Sequence, residues 1–243
     1  SLMVVGDDCL LRVHLHTHDP GKPLSYAASL GSLSHVKIEN MWEQHREMAS
    51  GEESAALPLA AVAVAQGEGL ARLFSSLGAS AIVTGGQTMN PSVEELLHAV
   101  RTVASDQVIL LPNNPNVIPA AQQATRLASK RVEVVPTRSI PQGIGALLAI
   151  SYEVSFEENV TRMVQGATAV KSGEVTRAIR SSQWDGLDIR VGQALGLLEG
   201  EPSVVEQKPA ATLRSLLLKM APGEGGLVTV YYGAEEDRAG LSN

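Results

Sequence analysis

The sequence predicts an α/β protein: a parallel sheet with helices on both faces, preceded by a small α+β unit and followed by a β-rich extension. Two observations predict the sheet. From Leu59 onward, short apolar runs alternate with amphipathic helices, and this βαβα order implies parallel strands covered by helices on both sides. Within the runs, consecutive positions are apolar, as strands buried on both faces require. A third observation predicts the extension, because the alternation stops after Ile150.

The predicted strands of the sheet are four apolar runs, namely Ala60 to Val64, Ala81 to Val83, Val108 to Leu111 and Val132 to Val135. Between them, apolar residues recur at i, i+3, i+4 and i+7, which is the period of an amphipathic helix. The two sets are Leu70, Leu73, Phe74 and Leu77, then Val93, Leu96, Leu97 and Val100.

Capping residues mark the starts of four helices. Three pairs have the spacing of a capping box, in which the cap side chain bonds a backbone N–H three residues on. They are Ser92 with Glu95, Ser139 with Gln142 and Ser155 with Glu158. Asn114 before Pro115 is typical of a cap followed by proline at the first helical position.

The first fifty residues are predicted to form a separate unit. The β-rich runs Leu2 to Val5 and Cys9 to Leu15 flank a Gly6-Asp7-Asp8 turn, and together they favour a hairpin. Asp19 and Pro20 begin a helix that ends near Gly31. A strand at Ser34 to Glu39 and a helix at Asn40 to Met48 follow, and the polar stretch 50–54 is a predicted linker. The expected domains are residues 1–50 and residues 57–243.

The β-rich second half of the second domain follows a helix that contains Val160 and Met163. Ala169 to Ile179 and Leu187 to Val191 are predicted strands, joined through a turn at Asp185-Gly186. A helix with Leu213, Leu216, Leu217 and Met220 on one face and a strand from Leu227 to Tyr231 are the last predicted elements.

Composition excludes several classes of protein. The 243 residues contain 26 acidic and 19 basic side chains, for a net charge of −7. Without clustered Lys and Arg, and with only 3% aromatic residues, a nucleic-acid surface is not expected. No apolar run approaches the roughly 18 residues of a membrane span. The single cysteine, Cys9, and the lack of a signal segment favour the cytoplasm, and the opening in a strand predicts a fragment of a longer protein.

Amide, hydroxyl and glycine residues follow each predicted strand of the sheet. In a parallel sheet these loops meet at the carboxyl ends of the strands, where open α/β folds bind ligands. The candidate ligand- or partner-binding residues are Gly85, Gly86, Gln87, Thr88, Asn90, Asn113, Asn114, Arg138, Ser139 and Gln142. Helix N-termini there suit a phosphate, a carboxylate or an acidic group of a partner. The loops contain one cation, Arg138, and one acid, Glu68, but no evident nucleophile–base pair, so no catalytic residue is predicted. Alternatively, Asn, Gly and Pro are simply what tight loops use.

A second candidate site lies in the run Val13 to His18. In a strand, His14 and His16 share one face about 7 Å apart, close enough to bind one Zn²⁺ together. Cys9 has the opposite parity, and a third ligand would come from His18, Asp19 or another chain. The alternative is a polar strand end with solvent-facing imidazoles. The chain contains neither a P-loop nor a G-x-G-x-x-G dinucleotide fingerprint.

Several long motifs resemble the A-subunit family of the bacterial fatty acid kinases, also described as dihydroxyacetone-kinase-like proteins. They are VVGDDCLLRVHLHTHDPGK, LSHVKIENM, VAVAQGEGLARLF, GGQTMNPS, LPNNPNV, VPTRSIPQGI, VKSGEVTRAIR and DGLDIRVGQALG, and they span almost the whole chain. The resemblance implies that residues 1–50 are part of a middle domain, in which His14 and His16 match the family's His-x-His element and a cysteine from an earlier segment completes a zinc site. In the family a separate N-terminal domain binds ATP and Mg²⁺, and this chain contains no stretch that resembles it.

The resemblance also implies that the region from about Leu57 onward docks a fatty-acid-binding partner whose bound acyl carboxylate is phosphorylated. The first hypothesis is therefore a non-catalytic part of a two-component fatty acid kinase, a phosphotransferase assembly of lipid metabolism. A second is an α/β domain that binds a small molecule or a phosphorylated metabolite and has its own enzymatic activity. A third is a zinc-dependent hydrolase. The partner's docking surface and the oligomeric state, a homodimer included, stay open, and the segment from Lys171 to Val191 is the alternative docking surface.

Overall fold

The first described unit is a short hairpin followed by a helix. The structure is a computed structural model that describes residues 2–6, 11–15, 17, 19–33, 36, 38, 58–86, 89–221 and 228–233. Strands β1 (Leu2–Gly6) and β2 (Leu11–Leu15) pair antiparallel, with Met3 opposite His14. Helix α1 (Gly21–Leu30) follows. The predicted hairpin and helix are both confirmed.

The structure differs from the predictions in this unit at one position. The cap of α1 is Pro20 rather than Asp19, although Asp19 Oδ1 accepts from the Gly21 N–H at 3.1 Å. Asp7 and Asp8, the predicted helix 40–48 and the predicted linker 50–54 lie outside the described residues. So does most of the predicted strand 34–39, whose described residues Val36 and Ile38 are in no strand.

A four-stranded parallel sheet is the centre of the second unit, as predicted. Its strands are β3 (Ala60–Ala65), β4 (Ala81–Thr84), β5 (Gln107–Leu111) and β6 (Arg131–Val134). Their order in the sheet is β4-β3-β5-β6. The chain therefore leaves β3 toward one edge and then crosses back over it to β5. This reversal is what defines the switch point of a doubly wound sheet.

Helices cover both faces of this sheet. They are α2 (Glu68–Ser76), α3 (Val93–Thr102), α4 (Ile118–Leu127), α5 (Ile140–Leu148) and α6 (Phe156–Thr168). One buried cluster joins the sheet to α3 and α4, and the other joins it to α2, α5 and α6. Crossovers of one hand explain this distribution, since a connection that reverses direction must lie on the opposite face.

Strand β3 contributes alternate side chains to the two clusters. Val62 and Val64 lie in the cluster with α3 and α4, whereas Ala61 and Ala63 lie in the cluster with α5 and α6. All six residues of the strand are buried. A strand buried on both faces has to be apolar throughout, which is why its sequence shows no alternation of polar and apolar residues.

Two glycines allow helices α5 and α6 to approach each other closely. A Cβ placed on Gly166 would lie 2.5 Å from the Gly145 carbonyl oxygen, and one placed on Gly145 would lie 2.6 Å from the Gly166 carbonyl oxygen. Real Cβ atoms do not come so near to backbone oxygen. The helix crossing therefore depends on the absence of a side chain at both positions.

The extension is an antiparallel sheet with one helix packed on it. Its strands are β7 (Gly173–Arg177), β8 (Ser182–Trp184), β9 (Leu187–Ile189), β10 (Ala194–Leu198) and β11 (Glu201–Glu206), and its helix is α7 (Pro209–Met220). Strand order is β11-β10-β7, and β8 pairs separately with β9. Helix α7 contacts all three strands of the larger sheet.

The extension differs from the predictions at several strands. The strand predicted at 169–179 is limited to Gly173–Arg177, because α6 continues to Thr168. The strand predicted at 187–191 ends at Ile189. The strand predicted at 227–231 is wrong for its described part, since residues 228–231 are exposed and belong to no strand. Strands β8, β10 and β11 were not predicted.

The predicted caps are confirmed to different degrees. Ser92 and Glu95 form a complete capping box, and the Ser92 backbone N–H and hydroxyl lower the pKa of the Glu95 carboxyl. Ser155 accepts from the Glu158 N–H at 3.2 Å. The Glu158 carboxylate pairs instead with Arg162, one turn further along the helix, at 2.9 Å.

Substitution of Gly166 by alanine tests the helix crossing. We expect Gly166→Ala to lower the free energy of unfolding by about 1–3 kcal/mol, the usual cost of overpacking a tight contact. Gly69→Ala is the matched control, because Gly69 is in helix α2 and a Cβ there has nothing within 4 Å. Denaturant unfolding measures both variants. Equal stability of Gly166→Ala and the native chain would contradict the proposed role of the crossing.

Candidate functional site

The four loops at the carboxyl ends of β3 to β6 contact one another, as the parallel topology predicts. The Gly85 N–H in the loop after β4 donates to the Ala65 carbonyl oxygen at the end of β3, at 3.1 Å. The Asn113 side chain in the loop after β5 donates from Nδ2 to the Val64 carbonyl oxygen at 2.9 Å. The loop after β6 joins them through Thr137. We refer to these four loops as the sheet edge.

Asn113 is the residue that connects three of the four loops. Its backbone N–H donates to Thr137 Oγ1 at 3.0 Å, and the Thr137 hydroxyl donates to Asn113 Oδ1 at 2.7 Å. Asn113 is only 7% exposed, and its φ of 55° is in the left-handed region. Asparagine adopts that region more readily than most residues. The buried carboxamide therefore has hydrogen-bond partners on both its nitrogen and its oxygen.

The position of Asn113 matters because it spans the switch point of the sheet. The crevice between the carboxyl ends of β3 and β5 is where open α/β folds bind ligands. Here the Asn113 side chain crosses from the end of β5 to the end of β3. The carboxamide thus fills the position that a ligand takes in related architectures.

Glycines at the sheet edge provide room for neighbouring side chains. A Cβ on Gly143 would lie 2.0 Å from Asn113 Oδ1, and a Cβ on Gly86 would lie 2.1 Å from Gln66 Oε1. A Cβ on Gly85 would lie 2.7 Å from Pro91 Cδ. All three glycines serve the packing of one loop against another.

The predicted cap at Asn114 and Pro115 is wrong. Asn114 is nearly buried, and its Oδ1 accepts from the Asn116 N–H at 2.8 Å. This bond and the Val117 N–H bond to the Asn114 carbonyl oxygen form a turn before the helix. Helix α4 begins only at Ile118, with Val117 at the cap position. Asn114 therefore shapes the loop instead of capping the helix.

Ser139 and Gln142 connect the sheet edge to the extension. Ser139 Oγ accepts from the Gln142 N–H at 3.3 Å, which is the predicted half of a capping box. The Gln142 side chain accepts from the Arg138 N–H at 2.8 Å rather than from the Ser139 N–H. Ser139 Oγ also lies 2.6 Å from Ser172 Oγ.

Glu199 completes this connection from the turn between β10 and β11. Its carboxylate accepts from the Ser172 N–H, and Gln142 Nε2 lies 3.4 Å from its other oxygen. Sequence analysis did not identify Thr137, Ser172 or Glu199. Thr137 is within a quoted motif, but Ser172 and Glu199 are 33 and 57 residues from their partners, a separation at which no local pattern indicates a contact.

Two predicted site residues stay exposed at the sheet edge, Asn90 and Arg138. Within the described part of the chain, the Arg138 guanidinium has neither an ion pair nor a side-chain hydrogen bond. Glu68 is also exposed and lies 3.4 Å from Arg72. Gln87 and Thr88 are outside the described residues. The sheet edge thus presents one cation and one amide to solvent beside an internally bonded centre.

The predicted zinc site is described only in part. His14 is in β2, and His16 and Cys9 lie outside the described residues. Among the residues that the structure does describe, no three His, Cys, Asp or Glu side chains come together. The described residues therefore do not themselves form a zinc site, and zinc binding stays a prediction.

The described helices are all too short or too polar to cross a membrane. The fold and the sheet edge define a doubly wound α/β domain with an antiparallel β extension.

Comparison with known proteins places this domain in a family. The profile of the FakA-like C-terminal domain, of the fatty acid kinase A-subunits, matches residues 60–242, and that of the FakA-like middle domain matches residues 1–48. The chain therefore belongs to the FakA-like family of fatty acid kinase A-subunits, and the predicted resemblance is confirmed.

Two relatives show how much of a longer protein the chain covers. Protein YloV of Bacillus subtilis (strain 168) is 41% identical over 243 residues, covering 97% of this chain and 44% of that protein. An uncharacterized protein of Staphylococcus aureus (strain MRSA252) is 36% identical over 249 residues, covering 100% of this chain and 45% of that protein. The chain spans less than half the length of these relatives.

Substitution of Asn113 tests its role in joining the loops. We expect Asn113→Ala to lower the free energy of unfolding by roughly 2 to 4 kcal/mol, because each buried group left without a partner costs about 1–3 kcal/mol. Asn116→Ala is the control, since Asn116 is exposed and contributes only its backbone N–H. Denaturant unfolding of the two variants gives the comparison. Similar stability for both would show that the Asn113 side chain does not hold the loops together.

Proposed function

We propose that this chain is a non-catalytic region of a two-component fatty acid kinase, and that in the cytoplasm it docks the protein that carries the fatty acid. The observation that carries the proposal is membership of the FakA-like family over residues 60–242. The match to the middle domain over residues 1–48 supports the same assignment.

The chemistry of the assembly explains why a docking region is needed. A fatty acid kinase transfers the γ-phosphoryl group of ATP to a carboxylate oxygen, so that an acyl phosphate and ADP are formed. In the family, ATP and Mg²⁺ belong to a different domain, and the fatty acid belongs to a partner. A region that holds the partner in place contributes positioning, which is a large part of phosphoryl-transfer catalysis.

The geometry of the sheet edge supports a binding role without chemistry of its own. The hydroxyls at the edge are engaged in structural bonds: Ser92 with Glu95, Thr137 with Asn113, and Ser139 with Ser172. The switch-point crevice is occupied by the Asn113 side chain. These features favour contact with a partner surface over binding of a small metabolite in the crevice.

Arg138 and Asn90 are the proposed polar contacts of the sheet edge with the partner. Both are exposed, and a guanidinium binds a carboxylate with two parallel hydrogen bonds. The remaining candidates, among them Asn113, Asn114, Ser139 and Gln142, position the loops through their internal hydrogen bonds.

Binding to the purified fatty-acid-binding protein of the same genome tests the proposal. We expect the 243-residue chain to co-elute with it in size-exclusion chromatography. Arg138→Ala should weaken the calorimetric affinity by about 1–3 kcal/mol, as for a hydrogen bond to a charged group, and should leave the thermal midpoint unchanged. Arg126→Ala is the control, because Arg126 is an exposed arginine on α4.

The outcomes separate the function from the residue. Lack of any binding by the native chain would contradict the docking function. Normal binding by Arg138→Ala would exclude that side chain from the interface, and a lowered thermal midpoint with unchanged affinity would give Arg138 a structural role.

Zinc binding by His14 and His16 is a separate part of the proposal. Two ligands are fewer than the three or four that protein zinc sites use, so we expect the chain to contain less than one zinc ion per molecule. Elemental analysis of the native chain and of His14→Ala measures this. One tightly held zinc in the native chain would reveal a third ligand, with Cys9 and His18 the first candidates.

A further inference from the structure

The strands of the extension form one long two-stranded arm. β7 pairs with β10 and β8 pairs with β9, so residues 173–184 lie antiparallel to residues 187–198. Asp185 and Gly186, with φ values of 44° and 79°, form the turn at its tip, as the two central residues of a type I′ hairpin require. The base of the arm is next to Ser172, which contacts Ser139 at the sheet edge.

The middle of the arm has an irregular pairing that exposes apolar side chains. The Ala178 N–H donates to the Gln193 carbonyl oxygen at 2.9 Å, and the Gly192 N–H donates to the Ala178 carbonyl oxygen at 2.8 Å. Toward the tip, the next residues on the two strands are Ile179 and Val191. Ile179 is 90% exposed and Val191 is 63% exposed.

Trp184 adds a third exposed apolar side chain on the same arm. It lies opposite Leu187 at the tip and is 48% exposed. Isolated apolar residues at a surface are common, but three large ones within a short hairpin are typical of an interaction site. We define the arm patch as Ile179, Val191 and Trp184 with the flanking Arg177 and Arg180.

Local charge distinguishes the arm patch from the rest of the molecule. The stretch 177–190 contains three arginines and two aspartates, for a local charge of +1, in a chain of net charge −7. Arg190 is paired with Asp188 at 3.2 Å. The Arg180 guanidinium is exposed and has no ion pair within the described residues. Positive charge beside Ile179 thus faces solvent without compensation from a neighbouring carboxylate.

Hydrogen bonds hold the arm patch in one conformation. Ala178 is buried, and its N–H and carbonyl oxygen are both bonded. The Arg190 N–H donates to Gln193 Oε1 at 2.8 Å, and the Val191 N–H donates to Ser181 Oγ at 3.3 Å. A surface fixed in this way loses little conformational entropy on binding.

We propose that the arm patch is the apolar part of the surface that docks the fatty-acid-binding partner, an inference that rests on the proposed function. The partner meets Ile179 with an apolar pocket and meets Arg177 and Arg180 with Asp or Glu carboxylates at the pocket rim. Buried apolar anchors surrounded by complementary charge are the usual composition of interface hot spots, in which Trp and Arg are enriched. The Ser139 contact with Ser172 connects this surface to Arg138 at the sheet edge.

Calorimetric titration of the 243-residue chain with the purified fatty-acid-binding protein of the same genome tests the inference. We expect Ile179→Asp and Arg180→Glu each to weaken binding about tenfold or more, as loss of a hot-spot contact does. Arg180→Glu should also reduce the dependence of affinity on salt. The matched controls are Leu218→Asp, at an exposed leucine of α7, and Arg126→Glu on α4, and both should bind within about twofold of the native chain.

Each outcome supports or overturns the inference. Native-like affinity of both Ile179→Asp and Arg180→Glu, alongside binding by the native chain, would overturn the arm patch and leave the docking function intact. Absence of binding by the native chain would overturn the docking function itself. Equal weakening by the two controls would attribute the effect to added negative charge and would also overturn the arm patch. A thermal midpoint for each variant confirms that it is folded.

Discussion

The arrangement of the sheet edge depends on the buried side chain of Asn113. Its carboxamide donates to the end of β3 and accepts from Thr137 after β6, and its own loop follows β5. Only an amide side chain supplies a donor and an acceptor at these two places, because a carboxylate lacks the donor and a hydroxyl is too short. The left-handed backbone at this residue further favours asparagine. One side chain thus fixes the relative positions of three loops.

This internal network has a consequence for function. Hydrogen-bonding groups that would otherwise orient a ligand at the switch point are paired with one another, so the sheet edge is a packed surface with Arg138 and Asn90 exposed on it. Such a surface suits recognition of another protein. Membership of the FakA-like family is consistent with this role, because a kinase of two components needs a region that positions the carrier of its substrate.

The extension is connected to the same edge, and this connection gives the arm a defined base. Ser172 bonds to Ser139, and the Glu199 carboxylate accepts from the Ser172 N–H. Glu199 itself is in a left-handed conformation at the turn between β10 and β11. The arm patch and Arg138 therefore belong to elements that share a set of hydrogen bonds, and both can contact one partner.

The sequence by itself determined the parallel sheet, the helices between its strands and the family, because buried strands, amphipathic helices and long motifs leave local patterns. The carboxyl-end loops were also predictable, since parallel topology brings them together. Only the tertiary structure decided what the loop residues do. Asn113 bonds Val64 from 49 residues away and Gln142 contacts Glu199 from 57 residues away, and the pairing of β10 with β7 and β11 likewise depends on distant segments. A local pattern records the propensity and burial of a segment, whereas the partner of a polar side chain is fixed only when distant segments pack together.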